Sequence, residues 1–277
     1  MQAYGQHVTD DTGGEIELTT PPQRIITLAP ELAELLFAFG CGQKIVGVSQ
    51  FTNYPPEAAK LPIIGAYTAP SLESIAALKP DLILATGNGN PKETVLRLRG
   101  LGYPIYTYYP KTMEEYFPAM ERLGRVAGCG DSAMKIVTGL RTRFEAIKSQ
   151  NPPSRPSVIL LYNHDPLIAA GRETIFHHVL EWVGARNILA DDAPRYPRIS
   201  METLLSRQPD IILLAIQAPG MKEATPEYWA SYPLKAAKHG NILALNPDLV
   251  SRAGPRLIEV AEVLKTALDK AMAPESP

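Results

Sequence analysis

The stretch LESIAALKPDLILA, Leu72 to Ala85, returns in altered spelling as METLLSRQPDIILLA, Met201 to Ala215. Glu73 and Glu202 stand 129 positions apart, as do Pro80 and Pro209, and Asp81 and Asp210. A period of that size is too long for a solenoid, whose units run to about 50 residues. A chain of 277 residues is also long enough to bury two cores of ordinary size. The repeat therefore predicts a two-lobed molecule built twice on one plan. In each copy a short helix ends at the proline and feeds an apolar strand, so the Pro-Asp step reads as a packing device. The glutamates are less determined. Each opens its helix, where the dipole favours a carboxylate, and that account competes on equal terms with a functional one.

Around the repeat, short apolar runs alternate with helical patterns, which predicts an α/β fold of two Rossmann-like lobes with central parallel sheets. Strand candidates in the first half are residues 24–29, 44–49, 81–86 and 104–109, and in the second half 157–162, 210–215 and 241–246. PELAELLFAFG has Pro30 at the first helical position, places Leu32, Leu35, Leu36 and Phe39 on one face and stops at Gly40. A helix is also expected over IFHHVLEWVG, and a last one from Pro255 with Leu257, Val260, Ala261, Leu264 and Leu268 on one stripe. Between the halves, Ala133, Ile136, Val137, Leu140, Phe144 and Ile147 follow helical spacing, and NPPSRP then stops the helix. The expected organisation is an N-terminal lobe over 1–130, a linker helix over 131–150 and a C-terminal lobe over 151–277.

Composition excludes several functions. With 27 basic and 29 acidic residues the chain carries no electrostatic footprint for nucleic acid. No segment approaches the roughly 18 consecutive apolar residues of a membrane span, and the polar opening MQAYGQHVTDDTGGE lacks the regions of a signal peptide, so a soluble chain is expected, either cytoplasmic or exported after loss of its signal. Cys41 and Cys129 each follow a glycine near a helix end, and read as two ordinary thiols, with a bridge as the alternative. Neither a P-loop nor a G-x-S-x-G elbow is present, and GNGN, Gly87 to Asn90, lacks the third glycine of a dinucleotide fingerprint. A nucleotide-dependent enzyme is thus a remote alternative. His7, His164, His177, His178 and His239 show no metal-ligand spacing, and His177 and His178, adjacent in a helix, are expected to point to different faces.

HVTDDTGGEIELTTPPQRIITLAP followed by IVGVSQFTNYPPEAAKLPIIGAYTAPSLESIAALKPDLILA resembles the class III substrate-binding proteins of bacterial ABC importers, whose ligands are vitamin B12, haem and ferric siderophores. The cobalamin-binding members match the pattern best. The resemblance runs from about His7 to the last helix, and implies two α/β lobes joined by one long helix, with the ligand in a cleft between them. A single helix resists bending, so small clamping motions are expected.

The resemblance also implies roles. Phe51, Tyr67 and Tyr196 match aromatics that pave the cleft, where flat rings bury much area against a macrocycle. Thr86 and Leu167 occupy two further positions where larger rings are expected. Asp248 and Arg252, in NPDLVSRAGPR, match a pair that contacts the corrinoid's polar side groups, against a plain reading as helix-entry cap and surface charge. Tyr108 and Tyr109 end a strand on one side of their sheet and are candidates for the cleft wall, or for an iron ligand in a haem binder. Glu73 and Glu202, one at each lobe's tip, match the carboxylates that dock onto arginines of two membrane subunits. The implied protein is no enzyme and carries no cofactor or metal of its own. Its expected ligand is cobalamin or cobinamide, with haem or a ferric siderophore as the alternative. It is expected to be a monomer, periplasmic or otherwise extracytoplasmic, with or without a lipid anchor.

Overall fold

A computed structural model describes residues 6–151, 154–191, 195–216 and 220–272. The chain divides into two compact units, Met1–Pro110 with Glu114–Arg141, and Lys111–Met113 with Thr142–Pro277.

The first unit opens with an antiparallel hairpin, β1 (Gln6–Thr9) and β2 (Glu15–Leu18). Four strands follow, β3 (Ile25–Thr27), β4 (Ile45–Val48), β7 (Leu82–Thr86) and β8 (Ile105–Tyr108). They pair in parallel in the order β4-β3-β7-β8. A small hairpin, β5 (Gly65–Ala66) and β6 (Ala69–Pro70), lies between β4 and β7. The connecting helices are α1 (Pro30–Ala38), α2 (Leu72–Leu78) and α3 (Lys92–Gly100), with α4 (Met113–Val126) after the sheet. Ile26, Leu28, Ile64, Ile75, Ile83, Ala85, Val95, Leu98 and Ile105 form one buried cluster between sheet and helices. Leu32, Leu35, Leu36 and Phe39 are all buried, as the spacing of α1 predicts.

The second unit repeats the plan. Its strands are β9 (Ser157–Asn163), β10 (Ile168–Ala169), β11 (Arg186–Asn187), β12 (Ile211–Leu214) and β13 (Ile242–Ala244). Here β11, β9, β12 and β13 are parallel neighbours in that order, and β10 joins β9 antiparallel. In order of appearance both parallel sheets therefore read 2-1-3-4, a doubly wound order whose switch point lies between the first and third strands. The helices are α6 (Ile175–Trp182), α7 (Met201–Arg207), α8 (Pro226–Trp229), α9 (Lys235–Lys238), α10 (Pro247–Ser251) and α11 (Leu257–Met272). The predicted stripe of α11 is buried throughout, although the helix starts two residues after Pro255.

Between them α5 (Gly130–Lys148) contributes its first part to one unit and its last turns to the other. Ala133, Val137, Leu140, Phe144 and Ile147 are buried, but Ile136 is exposed, against expectation. At 3.6 residues per turn it lies about 60° off the axis of that stripe. No helix among the described residues is long and apolar enough to cross a membrane.

The repeated passages match in hydrogen bonding as well as in letters. Ser71 and Ser200 cap α2 and α7, accepting from the backbone N–H of Ser74 and Thr203. Both helices end on a left-handed residue, Lys79 at φ 46° and Gln208 at φ 43°, and the Pro-Asp step follows. Asp81 donates its N–H to the carbonyl of Arg24 and accepts from the N–H of Arg24 and Gln23. Asp210 makes the same reciprocal contact with Ser157, and also takes its hydroxyl and the Lys235 ammonium. Each aspartate thus ties the start of the third strand to the start of the first, which is the packing role expected of it.

Cys41 and Cys129 form a disulfide, with Cα atoms 6.4 Å apart and a sequence separation of 88. The expectation of two ordinary thiols is corrected. The end of α1 and the junction of α4 with α5 carry the pair, positions whose proximity no local pattern encodes.

Candidate functional site

In open α/β sheets ligands bind outside the carboxyl ends of the strands, at the switch point. In the first unit that point is the loop after β7, Gly87 to Asn90, beside the loop after β3. Asn90 is buried and organises it: its amide donates to the carbonyls of Leu28 and Tyr67, and its oxygen accepts from the N–H of Thr86. The two glycines make room for aromatic rings. A Cβ at Gly89 would lie 2.5 Å from the Tyr67 ring, and one at Gly87 would lie 2.2 Å from Cγ of Tyr109. The GNGN loop is thus floored by side chains and is not an open phosphate cradle.

Tyr67 stands in the turn of the β5-β6 hairpin, 36% exposed. That hairpin is tied to the loop after β4, where the N–H of Gln50 donates to Gly65. The next residue, Phe51, is 65% exposed and holds φ at 69°. A bulky side chain in the left-handed region is costly, on the order of 1 kcal/mol, and such strain gathers where geometry serves a function. Tyr54, in the NYPP motif, is 43% exposed in the same loop. It is a further candidate that the sequence reading did not name, an exposed aromatic ring beside Pro55.

Tyr108 and Tyr109 do not share a side. Successive strand residues face opposite ways, so Tyr108 is fully buried while Tyr109 is half-buried after the strand end. Burial, reinforced by Tyr116 and the Asp11 carboxylate, pushes the Tyr108 hydroxyl far above its ordinary range. Enclosed in this way, it does not pave a surface. Asp11 accepts from the N–H of Tyr109 and from Arg122, which pins the β1-β2 turn against this loop.

Thr86 is also corrected. Its side chain is buried at the end of β7, and its hydroxyl accepts from the N–H of Asn88. Leu167 belongs to the core of the second unit with Ile159, Leu161, Leu189 and Trp229. The two positions that lack the expected rings are packing positions here.

In the second unit Tyr196 is 45% exposed and meets Tyr162 edge to face, ring centroids 5.7 Å apart. Tyr162, on β9, donates its hydroxyl to the carbonyl of Val250 in α10. This chain joins Tyr196 to the loop after β13, where Asp248 and Arg252 pair at 2.8 Å. The plain reading of that pair fails in both parts. Asn246 caps α10, accepting from the N–H of Asp248, and Arg252 is buried and not a surface charge. A guanidinium so covered fixes the orientation of Asp248. Beside them His164 follows β9 and shares a hydrogen bond with the Tyr228 hydroxyl, which is bonded in turn to Tyr232. These polar aromatics were not anticipated, because α8 reaches β9 only through the tertiary fold.

Glu73 and Glu202 occupy the second position of α2 and α7, and both are exposed. Serines supply the caps, and each glutamate sits in the first turn, where the helix dipole favours a carboxylate. His177 and His178 do not diverge as expected: their rings lie 5.1 Å apart.

A sequence model of the family described as periplasmic binding protein matches residues 25–249. The vitamin B12-binding protein of Photorhabdus laumondii is 34% identical over 89% of this chain and 88% of its own length. The vitamin B12-binding protein of Vibrio cholerae is 32% identical over 90% of both. The crystal structure of the periplasmic vitamin B12 binding protein BtuF of Vibrio cholerae superposes with a TM-score of 0.82 at 30% identity, covering 92% of this chain and 99% of that one. The periplasmic heme-binding protein RhuT from Roseiflexus superposes at 0.78 with 25% identity, over 90% and 99%.

Proposed function

The chain belongs to the periplasmic binding protein family, and on that premise we propose that it captures cobalamin or a related corrinoid through the exposed aromatics Phe51, Tyr67 and Tyr196. Members are substrate-binding components of ABC importers and not enzymes, which places the chain in the periplasm with a membrane permease as partner. The disulfide suits that oxidising compartment.

The observation that carries the ligand reading is the exposure of those aromatics. Several large rings are fully buried, among them Tyr106, Tyr108, Tyr116, Phe144, Phe176 and Trp229. Phe51, Tyr67 and Tyr196 stay 65%, 36% and 45% exposed. Such rings burden a soluble surface unless a ligand covers them. Relatives at more than 30% identity are named for vitamin B12 binding, which favours a corrinoid over haem. Phe51, Tyr67 and Tyr196 would each offer a ring to the macrocycle, and Asp248 would meet its amide side chains. Glu73 and Glu202 would dock on the permease. Two copies of one lobe present two carboxylates, as a two-fold partner requires.

Titration with cyanocobalamin, cobinamide and haemin, followed by visible absorption and calorimetry, tests the reading. Saturable one-to-one binding of a corrinoid is expected. Saturation by haemin with no corrinoid binding would refute the ligand and leave the family membership untouched.

A further inference from the structure

We infer that the last turns of α6 hold a divalent transition-metal site formed by His177, His178 and Glu181. At about 100° per residue Glu181 falls between the two histidines around the helix, some 40° from one and 60° from the other. One donor atom from each residue lies within 4.8 Å of the others. Nε2 of His177 is 3.6 Å from Oε2 of Glu181, while the second carboxylate oxygen faces Arg155 at 3.5 Å. One oxygen is thereby oriented by a cation from outside and the other is left toward the imidazoles, the arrangement that outer partners give to metal ligands.

The helical contact of His177 with Glu181 explains two of the three groups. It does not bring in His178, whose ring centroid lies 5.1 Å from that of His177. His177 itself is 4% exposed, and its Nδ1 has no hydrogen-bond partner among the described residues. Buried polar atoms are rarely left so. Donors about 2.0–2.2 Å from one ion stand roughly 3 to 3.5 Å apart, a contraction that rotation of the exposed Glu181 and the half-exposed His178 supplies. Two imidazoles and one carboxylate suit zinc, nickel or copper and not calcium or magnesium. Because α6 packs on β11 and α11, an ion there would fasten one turn of a core helix, apart from the proposed ligand contacts.

Demetallated protein titrated with zinc chloride, by calorimetry and by thermal melting, tests the inference, with nickel and copper salts in parallel. One equivalent should bind saturably and raise the melting temperature. His178→Ala and Glu181→Gln should each weaken binding at least tenfold while leaving the circular dichroism of the metal-free protein unchanged. A His7→Ala/His239→Ala variant should bind as the parent does. Absence of saturable zinc binding, or equal affinity in His178→Ala and Glu181→Gln, would overturn the assignment.

Discussion

Gly89→Ala separates positioning of the site from stability of the fold. The added Cβ would sit 2.5 Å from Cε2 of Tyr67, where carbon atoms require about 3.5 Å. The ring must move by about 1 Å. It has room, because Tyr67 is an exposed residue at a hairpin tip and the clash falls on the far end of its side chain. The consequence for a ligand follows from area. Tyr67 exposes 36% of its surface, about 70 Å² of the roughly 200 Å² a tyrosine can bury. At about 25 cal/mol per Å², covering it contributes about 2 kcal/mol, so Tyr67→Ala should weaken corrinoid binding about thirtyfold. A gap of about 1 Å forfeits a quarter to a half of a dispersion well. Gly89→Ala should therefore weaken binding about two- to fivefold with little change in melting temperature.

Gly87→Ala is the internal contrast. Its Cβ would meet Tyr109 at Cγ, 2.2 Å away, and the Tyr109 backbone is held by Asp11 at 2.8 Å. That ring has no free end to swing, so the substitution should act as overpacking and lower stability by about 1–3 kcal/mol. Calorimetric titration with cyanocobalamin, with thermal melts of the same samples, reads both quantities. A double-mutant cycle completes the argument: Gly89→Ala should cost nothing further in a Tyr67→Ala background. Full additivity, or parent affinity in Gly89→Ala, would refute the placement of Tyr67 in the binding surface.

Charge reversal at both Glu73 and Glu202 should leave ligand affinity unchanged while uptake through the importer collapses, measured by labelled corrinoid transport into cells; normal uptake would refute docking through these residues. Replacing Cys41 and Cys129 by serine removes a cross-link over 88 residues, worth about 4–5 kcal/mol by chain entropy, and urea unfolding with and without reductant should show most of that loss. Acid should weaken the second unit through Asp210. Burial alone would raise its pKa, but hydrogen bonds from Lys235 and Ser157 outweigh it and hold the carboxyl below its ordinary value of 3.8. Such a group stabilises the fold above the unfolded-state pKa and loses that contribution as pH falls through the folded-state value, so unfolding free energy should decline below about pH 4, and less steeply in Asp210→Asn.

The fold was legible because its signals are local. Proline at the first turn of α1, the apolar stripe of α11 and the short runs of β7, β9 and β12 each carry their own periodicity, and the elements lie within a residue or two of expectation. Of the candidate site, exposure was legible only where it follows from loop context. Phe51, Tyr67 and Tyr196 stand beside turns and are exposed, whereas Thr86 and Leu167 were placed by pattern alone and are buried. Tyr108 was misread because its side follows from the two-residue period of a strand, which the run of tyrosines hides. Partners far apart in sequence left little trace: the disulfide stood only as an alternative to two thiols, and the Tyr162 contact with α10 and the bond from His164 to Tyr228 depend on how helices return to the sheet.

The repeated passage now divides cleanly by physical role. Ser71 and Ser200 are used up as caps, Lys79 and Gln208 as left-handed ends, and Asp81 and Asp210 in fastening the third strand of each sheet to the first. Leu84 and Leu213 are buried in their strands. The one polar residue outside these tasks that both copies share at the same helical position is the exposed glutamate. Its interaction with the helix dipole is worth only about 0.3–1 kcal/mol at the surface, which a carboxylate at a neighbouring first-turn position could largely replace. A requirement of the fold would have tolerated different solutions in the two units, since their caps, ends and strands are stabilised separately. A partner with two equivalent subunits tolerates no such divergence, because losing either carboxylate unbalances the pair. The retention of both is therefore a stronger argument for docking than the chemistry of either one.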